Sequence, residues 1–172
     1  MNANFQQENR VLRHANINDL PQIVAIYNST VAGRMVTADT EEVSVESRTS
    51  WFKQHQESSR PLYVLEENNR IIAWLSFHSF YGRPAYSITC EIAIYIHQDF
   101  RGQQLGSYLL ETAIQRSPEL NIENLLGYIF AHNEPSLKLF RKYGFETWGT
   151  FPQVGIIDHQ YVDLLILGKK IK

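Results

Sequence analysis

From Ser87 to Ile96 the chain reads as one long strand, and it runs through Arg101-Gly102-Gln103-Gln104-Leu105-Gly106-Ser107 into a helix. Leu105, Leu109, Leu110 and Ala113 recur at helical spacing, so that helix should end near Pro118. Amides at a helix start point outward without partners and carry the positive end of the dipole, which makes a seat for phosphate oxygens. Gly102 permits close backbone approach, and Arg101 adds positive charge. The turn is neither the phosphate loop, which needs Gly-Lys-Ser/Thr, nor the dinucleotide GxGxxG. On spacing alone it is either a phosphate seat or an ordinary strand-turn-helix with a glycine in the turn.

The rest of the chain builds a sheet around this unit. Val11 to Ala15 reads as a first strand. Asn16 or Asn18 then caps a helix carrying Leu20, Ile23, Val24 and Tyr27. A loop from Ser29 to Val43 leads to a second helix, capped by Ser44 and running to about Gln56. Strands over Leu62–Glu67 and Ile71–Phe80 flank Asn68-Asn69, a turn pair that tolerates positive φ. Tyr81 to Tyr86 is a loop. After the central strand and helix come a strand at Leu125–Phe130 and a helix that starts past His132-Asn133 and stops before Gly144. Two last strands cover Glu146–Phe151 and Gln160–Leu167. The order gives a mixed α/β sheet of about seven strands flanked by about four helices. Residues 1–10 read as a polar tail, and residues 11–172 as a single domain.

Composition excludes several classes of function. The chain has 172 residues, 44% of them hydrophobic, enough to bury a core without disulfides. Lys and Arg number 16 against 18 Asp and Glu, for a net charge of -2, which argues against neutralising many phosphates of a nucleic acid. No apolar run approaches the roughly 20 residues that cross a bilayer. Cys90 is the single cysteine, so an intrachain disulfide is impossible and a cytoplasmic location is the simplest expectation. The histidines and Cys90 show no metal-ligand spacing, and no metal is expected.

A second segment joins the first. His132-Asn133-Glu134-Pro135-Ser136 opens a helix that closes on Gly144-Phe145. Arg101 to Gly106 matches R/Q-x-x-G-x-G/A, and Asn133, Ser136, Gly144 and Phe145 match a later Asn…Ser…Gly-Phe pattern. Together the two segments resemble the GNAT (Gcn5-related) N-acetyltransferase family, from Val11 onward and in element order. The resemblance implies the GNAT fold, with acetyl-CoA in a cleft between two splayed parallel strands. The pantetheine arm would pair with backbone at Ile94, Tyr95 and Ile96. The pyrophosphate would sit on the amides from Gly102 through Gln103, Gln104, Leu105 and Gly106 to Ser107. Asn133 would contact the cofactor near the thioester end, and Ser136 is a further cofactor contact. Gln104 stands where the motif often has Gly, which suits the chain if its φ is negative. Phe140 stands where many members carry a Tyr acid, which leaves the general acid open.

Tyr27-Asn28-Ser29-Thr30, Trp51-Phe52, the Tyr81–Tyr86 loop, Glu91 to Tyr95, Gln153-Val154-Gly155 and Tyr161-Val162-Asp163 resemble the phosphinothricin and methionine sulfoximine N-acetyltransferase subfamily. That likeness implies a homodimer and a small amino-acid acceptor, a glutamate or glutamine analogue. The rivals are another amine acceptor on the same fold (a protein N-terminus, a polyamine or an aminoglycoside) and a non-catalytic acyl-CoA-binding module.

Glu91 is the candidate base. A carboxylate in an apolar strand is costly unless it faces a cleft or a partner. By alternation Glu91, Ala93 and Tyr95 share one face, and Ile92, Ile94 and Ile96 the other. An amine is largely protonated at neutral pH, and the ammonium form cannot attack a thioester until something takes that proton; the resemblance gives that task to Glu91, and the alternative is a buried, paired glutamate. Arg83, between Tyr81 and Tyr86, suits a carboxylate or phosphinate, or is a solvated loop arginine. Thr37 could line the same pocket. Cys90 points away from Glu91 and reads as a small core residue, with a covalent acetyl-cysteine route as the alternative. His132, beside the cofactor motif, reads as a strand end or helix cap, with an acid or base as the alternative. Trp51, Phe52, Trp74 and Phe77 read as core, and Arg141-Lys142 and Lys169-Lys170 as solvated faces.

Overall fold

The computed structural model describes residues 9–56 and 58–171. Most of the expected polar tail therefore lies outside the described residues, and its last member, Arg10, belongs to the first strand. That strand, β1 (Arg10–His14), is followed by α1 (Leu20–Asn28), α2 (Thr49–Gln54), β2 (Leu62–Glu67), β3 (Arg70–Ser79) and β4 (Thr89–Ile96). Then come α3 (Leu105–Arg116), β5 (Asn124–Phe130), α4 (Glu134–Lys142), β6 (Glu146–Ile157) and β7 (Gln160–Lys170). The strands form one seven-stranded sheet in the order β1-β2-β3-β4-β5-β7-β6. All neighbours are antiparallel except β4 and β5.

Local chemistry explains the element boundaries. Asn16 accepts the amide of Asn18 at 2.9 Å, and Asp19 accepts the amide of Asn16 at 2.8 Å, a reciprocal cap that starts a short 3-10 turn leading into α1. Asn68 and Asn69 stand at φ 50° and 63°, the left-handed pair that a tight hairpin between β2 and β3 requires. Gly144, at φ +81°, ends α4.

Three boundaries differ from the sequence reading. The second helix is split: Ser44 Oγ accepts the amide of Ser47 at 3.1 Å, a 3-10 turn spans Glu46–Arg48, and only then does α2 begin. The central strand begins at Thr89, because Pro84–Tyr86 forms a 3-10 turn and delays it. β6 runs through Pro152 to Ile157. It lies on the sheet edge, where a missing ladder amide is tolerated, and its register shifts between Phe151 and Gly155.

Each face of the sheet carries its own core. On one, α3 and α4 lay Leu105, Leu109, Leu110, Leu137 and Phe140 against Leu75, Phe77, Cys90, Ile92 and Leu125. On the other, α1 and α2 lay Leu20, Ile23, Ile26 and Phe52 against Leu62, Val64, Ile71 and Trp74. The helix period of 3.6 and the strand period of 2 turn the same residue types inward on both sides. Phe140 packs its ring over β5, where a Cβ at Gly127 would lie 2.5 Å from it.

Candidate active site

The site begins where the sheet comes apart. β4 and β5 pair only at Thr89↔Asn124, Cys90↔Leu125 and Glu91↔Leu126. Beyond Glu91, β4 keeps only its β3 neighbour, and β5 beyond Leu126 keeps only β7. The seam leaves backbone on either side turned toward a gap. A groove of about 380 Å³ opens there, lined by Ile94, Tyr95 and Ile96 of β4, by Arg101, by Asn133 and Ser136 at the start of α4, and by Met35 and Val36 of the loop after α1.

The turn at the mouth of the groove is built from left-handed residues. Gly102 stands at φ +75°, and a Cβ there would meet nothing within 4 Å. Gln104 is left-handed too, at φ 61°, contrary to the negative φ expected if Gln was to replace Gly without strain. A non-glycine residue in that conformation costs about 1–2 kcal/mol. Gln103 Oε1 accepts from Arg10 Nη2 at 2.6 Å. The first amides of α3, from Leu105 to Ser107, have no carbonyl one helical turn behind them and lie just past Arg101, the one residue of this turn that lines the groove. Gly106 has a packing reason to be glycine: a Cβ there would stand 3.0 Å from Leu139 of α4 and 3.6 Å from Ile96. Asn133 accepts the amide of Ser136 at 3.3 Å and donates to Met35 O at 3.0 Å. It therefore caps α4 and ties the α1–α2 loop to it, while also lining the groove.

Across β4 lies a second hollow, of about 220 Å³, between α1, α2 and the sheet. Its walls are apolar and aromatic: Ile23, Val24, Tyr27, Val43, Trp51, Trp74 and Tyr95. Trp74 stacks on Tyr95 at 4.4 Å. Three groups in the lining can be charged, Glu91, Arg48 and His78. Burial raises Glu91 from its ordinary 4.5 to about 7, so near neutral pH the carboxylate exchanges a proton readily. Tyr95 lines both the hollow and the groove and so forms the partition between them. Its phenol bonds Thr37, and burial pushes it well above the usual phenol range. Thr37 is buried and also pairs with Tyr27 Oη.

The other expected site residues spread over neighbouring hollows. Tyr81 shares one with Glu91, Arg60, His78 and Tyr128. Arg83 and Tyr86 line a third, together with Arg60, Ser87 and Ile88, and Glu91 is not among its walls. Cys90 faces the α3 side of the sheet, is fully buried, and its thiol is pushed up to about 12 by burial. His132 Nε2 lies 2.9 Å from Arg34 O and serves the same loop that Asn133 holds. Trp51 and Trp74, read as core, are pocket walls as well. Arg48 and Tyr27 were not singled out for the site at all. Arg48 and Trp51 lie three residues apart, a spacing that puts both side chains on one helical face, and this was the one available signal.

These parts together, a seam between parallel strands, an amide-rich turn and a buried carboxylate across the strand, match a known pattern. The model of the acetyltransferase (GNAT) family matches residues 17–145. The chain belongs to the GNAT acetyltransferase family. Among its relatives, a Bacillus subtilis protein provisionally named a phosphinothricin acetyltransferase is 55% identical over 93% of this chain and 98% of its own. An L-methionine sulfoximine/L-methionine sulfone acetyltransferase of Pseudomonas aeruginosa is 29% identical over 91% of each chain. A crystal structure of a protein provisionally called a phosphinothricin N-acetyltransferase superposes with TM-score 0.92 at 52% identity, covering 95% of this chain and 99% of that one. A Salmonella typhimurium protein provisionally called an acetyltransferase, solved with its cofactor acetyl-CoA, has TM-score 0.87 at 25% identity, covering 96% of this chain and 95% of that one. The chain is thus an acetyltransferase built on a seven-stranded mixed α/β sheet.

Proposed function

We propose that this acetyltransferase moves an acetyl group from acetyl-CoA to the α-amino group of a small glutamate-like amino acid. Phosphinothricin, methionine sulfoximine and methionine sulfone are the acceptors to try first. The observation that carries this reading is Glu91. Its carboxyl, raised to about 7 by burial, stands in an apolar hollow separated from the cofactor groove by a single side chain, Tyr95. The names of the relatives supply the acceptor class.

Acetyl-CoA brings an activated thioester; the chain supplies the place and the base. The backbone of Ile94–Ile96 at the open seam would take the pantetheine arm as an added strand. The turn from Arg101 to Ser107 would hold the pyrophosphate on its amides. In the hollow, Glu91 takes the proton that the amine gives up as its nitrogen bonds the acetyl carbon, while the carbon–sulfur bond breaks and the sulfur keeps the electron pair. Tryptophan and tyrosine walls exclude water and hold the acceptor in line. Phe140 packs over Gly127 in the α4 core and carries no ionisable proton, so it takes no part in returning a proton to sulfur. Direct transfer fits better than an acetyl-cysteine route, because Cys90 is buried on the opposite face with its thiol protonated.

The same reading makes residues 11–172 one N-acetyltransferase domain of a cytoplasmic homodimer. The dimer is supported by the sheet edge, where Phe151, Val154 and Ile156 of β6 and Tyr161 of β7 are exposed. The deciding experiment is thiol release from acetyl-CoA across a panel of amines. The three named amino acids should accelerate it well above polyamines, aminoglycosides and a peptide N-terminus. Equal or faster release with a polyamine or a peptide would reassign the acceptor.

A further inference from the structure

We propose that Arg48 binds the α-carboxylate of the acceptor and thereby sets the preference for amino acids over simple amines. The inference rests on the acceptor class proposed above. In an α-amino acid the carboxylate sits one carbon from the nitrogen that must reach Glu91, so its reader must belong to the same hollow as Glu91. Arg48 is the one permanently charged cation in that lining. Arg83 lines a different hollow. Arg60, which shares a neighbouring hollow with Glu91, spends its guanidinium on Ser79 Oγ at 2.9 Å, Ser59 O at 2.7 Å and Ser87 O at 2.7 Å. It is held as a structural post for the loop that follows β3.

Arg48 is held differently. One nitrogen, Nη2, donates to Asp39 Oδ2 at 2.7 Å, and the guanidinium lies 4.7 Å from the centroid of the Tyr27 ring. Asp39 is itself bonded by the Tyr27 hydroxyl, which also meets Thr37. The bracket fixes the plane of the guanidinium and uses one of its five N–H donors, and a planar fork matches a carboxylate through two parallel bonds. The Arg48 side chain is 28% exposed and that of Asp39 41%, so water screens the fixed partner more than the guanidinium itself. The proposed acceptors differ at their far ends, phosphinate, sulfoximine or sulfone, and share only the amine and the carboxylate. A single arginine that reads the shared group leaves the tryptophan walls to accommodate the rest.

The test compares methionine sulfone with the amine that its decarboxylation would give, in the full chain, read by thiol release. Arg48→Gln should lower kcat/KM for the amino acid by about 10–100-fold, mainly through KM, the worth of a charge-assisted bond. The decarboxylated amine should change by less than about threefold, as should acetyl-CoA affinity measured by calorimetry. Arg48→Lys keeps a charge that can still pair with Asp39 but loses the fork. It should retain part of the preference, and it carries the test if the glutamine variant fails to fold. A parallel loss on both acceptors, or no loss on either, would overturn the assignment of Arg48. A wild-type protein that binds acetyl-CoA yet acetylates neither compound would overturn the acceptor class, and the assignment with it.

Discussion

Glu91→Gln should produce a poorer catalyst and, above neutral pH, a more stable protein. Burial raises the native carboxyl to about 7, whereas in the unfolded chain it titrates near its usual value of about 4.3. Below the lower value both states carry the proton, and Glu91 contributes nothing to the pH dependence. Between the two values the native state still holds a proton that the unfolded state has released, so stability falls as pH rises. Above about 7 both states are ionised and the penalty is constant. At about 1.4 kcal/mol for each pH unit of separation, the native fold gives up at most about 3.7 kcal/mol to keep this carboxylate, and less as far as solvent reaches it. Glutamine has nothing to ionise. The stability of Glu91→Gln relative to wild type should therefore grow by roughly 2–3 kcal/mol between about pH 4 and pH 8, read from urea unfolding at fixed pH steps. Over the same range the wild-type kcat/KM should climb along a limb centred near 7 as the base loses its proton. The variant should turn over about 10²–10⁴-fold more slowly at neutral pH, with the deficit shrinking where the substrate amine is already neutral. A stability difference that stays flat with pH would mean that the carboxylate is not desolvated. Near-normal turnover would place the base elsewhere.

Other substitutions test the scaffold around it. Gln104→Gly removes a left-handed non-glycine residue and should stabilise the fold by up to about 1 kcal/mol, a rise of about 2–4 °C in Tm by thermal unfolding, without weakening acetyl-CoA binding; an unchanged or lower Tm would mean that the Gln103–Gln104 side chains compensate the strain. Gly127→Ala drives a Cβ to 2.5 Å from the Phe140 ring and should cost about 1–3 kcal/mol in urea unfolding; a neutral result would mean that α4 can slide. Cys90→Ala should keep kcat/KM within about twofold and show no acetylated protein by mass spectrometry, because the thiol stays protonated up to about 12; loss of turnover with the fold intact would revive a covalent route.

How far the sequence carried the argument differs from element to element. The alternation along β4 was legible because a strand has a period of 2 and a misplaced charge is conspicuous: Glu91 stands between Cys90 and Ile92, which face the other core. Asn68-Asn69, the Asn133 cap and Gly144 were legible because turns and helix ends demand particular backbone conformations. The extent of β6 was not, since whether Pro152 breaks a strand depends on its being at the sheet edge, which is a tertiary fact. The same holds for the acceptor side of the site. Arg83 stands out in sequence only by its tyrosine neighbours, and the chain sends it into a different hollow from Glu91. Arg48 lies 43 positions before Glu91 in the chain and meets its hollow only through the packing of α2 on the sheet. Gln104 shows a related blind spot: the motif marks a position that favours glycine, and the strain of the residue actually there shows only in its φ.

β4 also bears on how an enzyme of this kind can change its diet. Its odd-numbered residues, Glu91, Ala93 and Tyr95, look into the acceptor hollow, while Ile92, Ile94 and Ile96 pack toward α3, and the main chain between them borders the seam. On the proposed function, donor and acceptor preferences are thus encoded in different atoms of the same few residues. A larger side chain at Ala93 would shrink the acceptor hollow and leave the seam's backbone as it was. Insertion or deletion of one residue upstream in the strand would do the opposite of such tuning, since it would exchange the two sets and drive the Glu91 carboxylate into the core beside Leu125. Acceptor range can drift here by substitution, side chain by side chain, in a strand whose length is not free to vary.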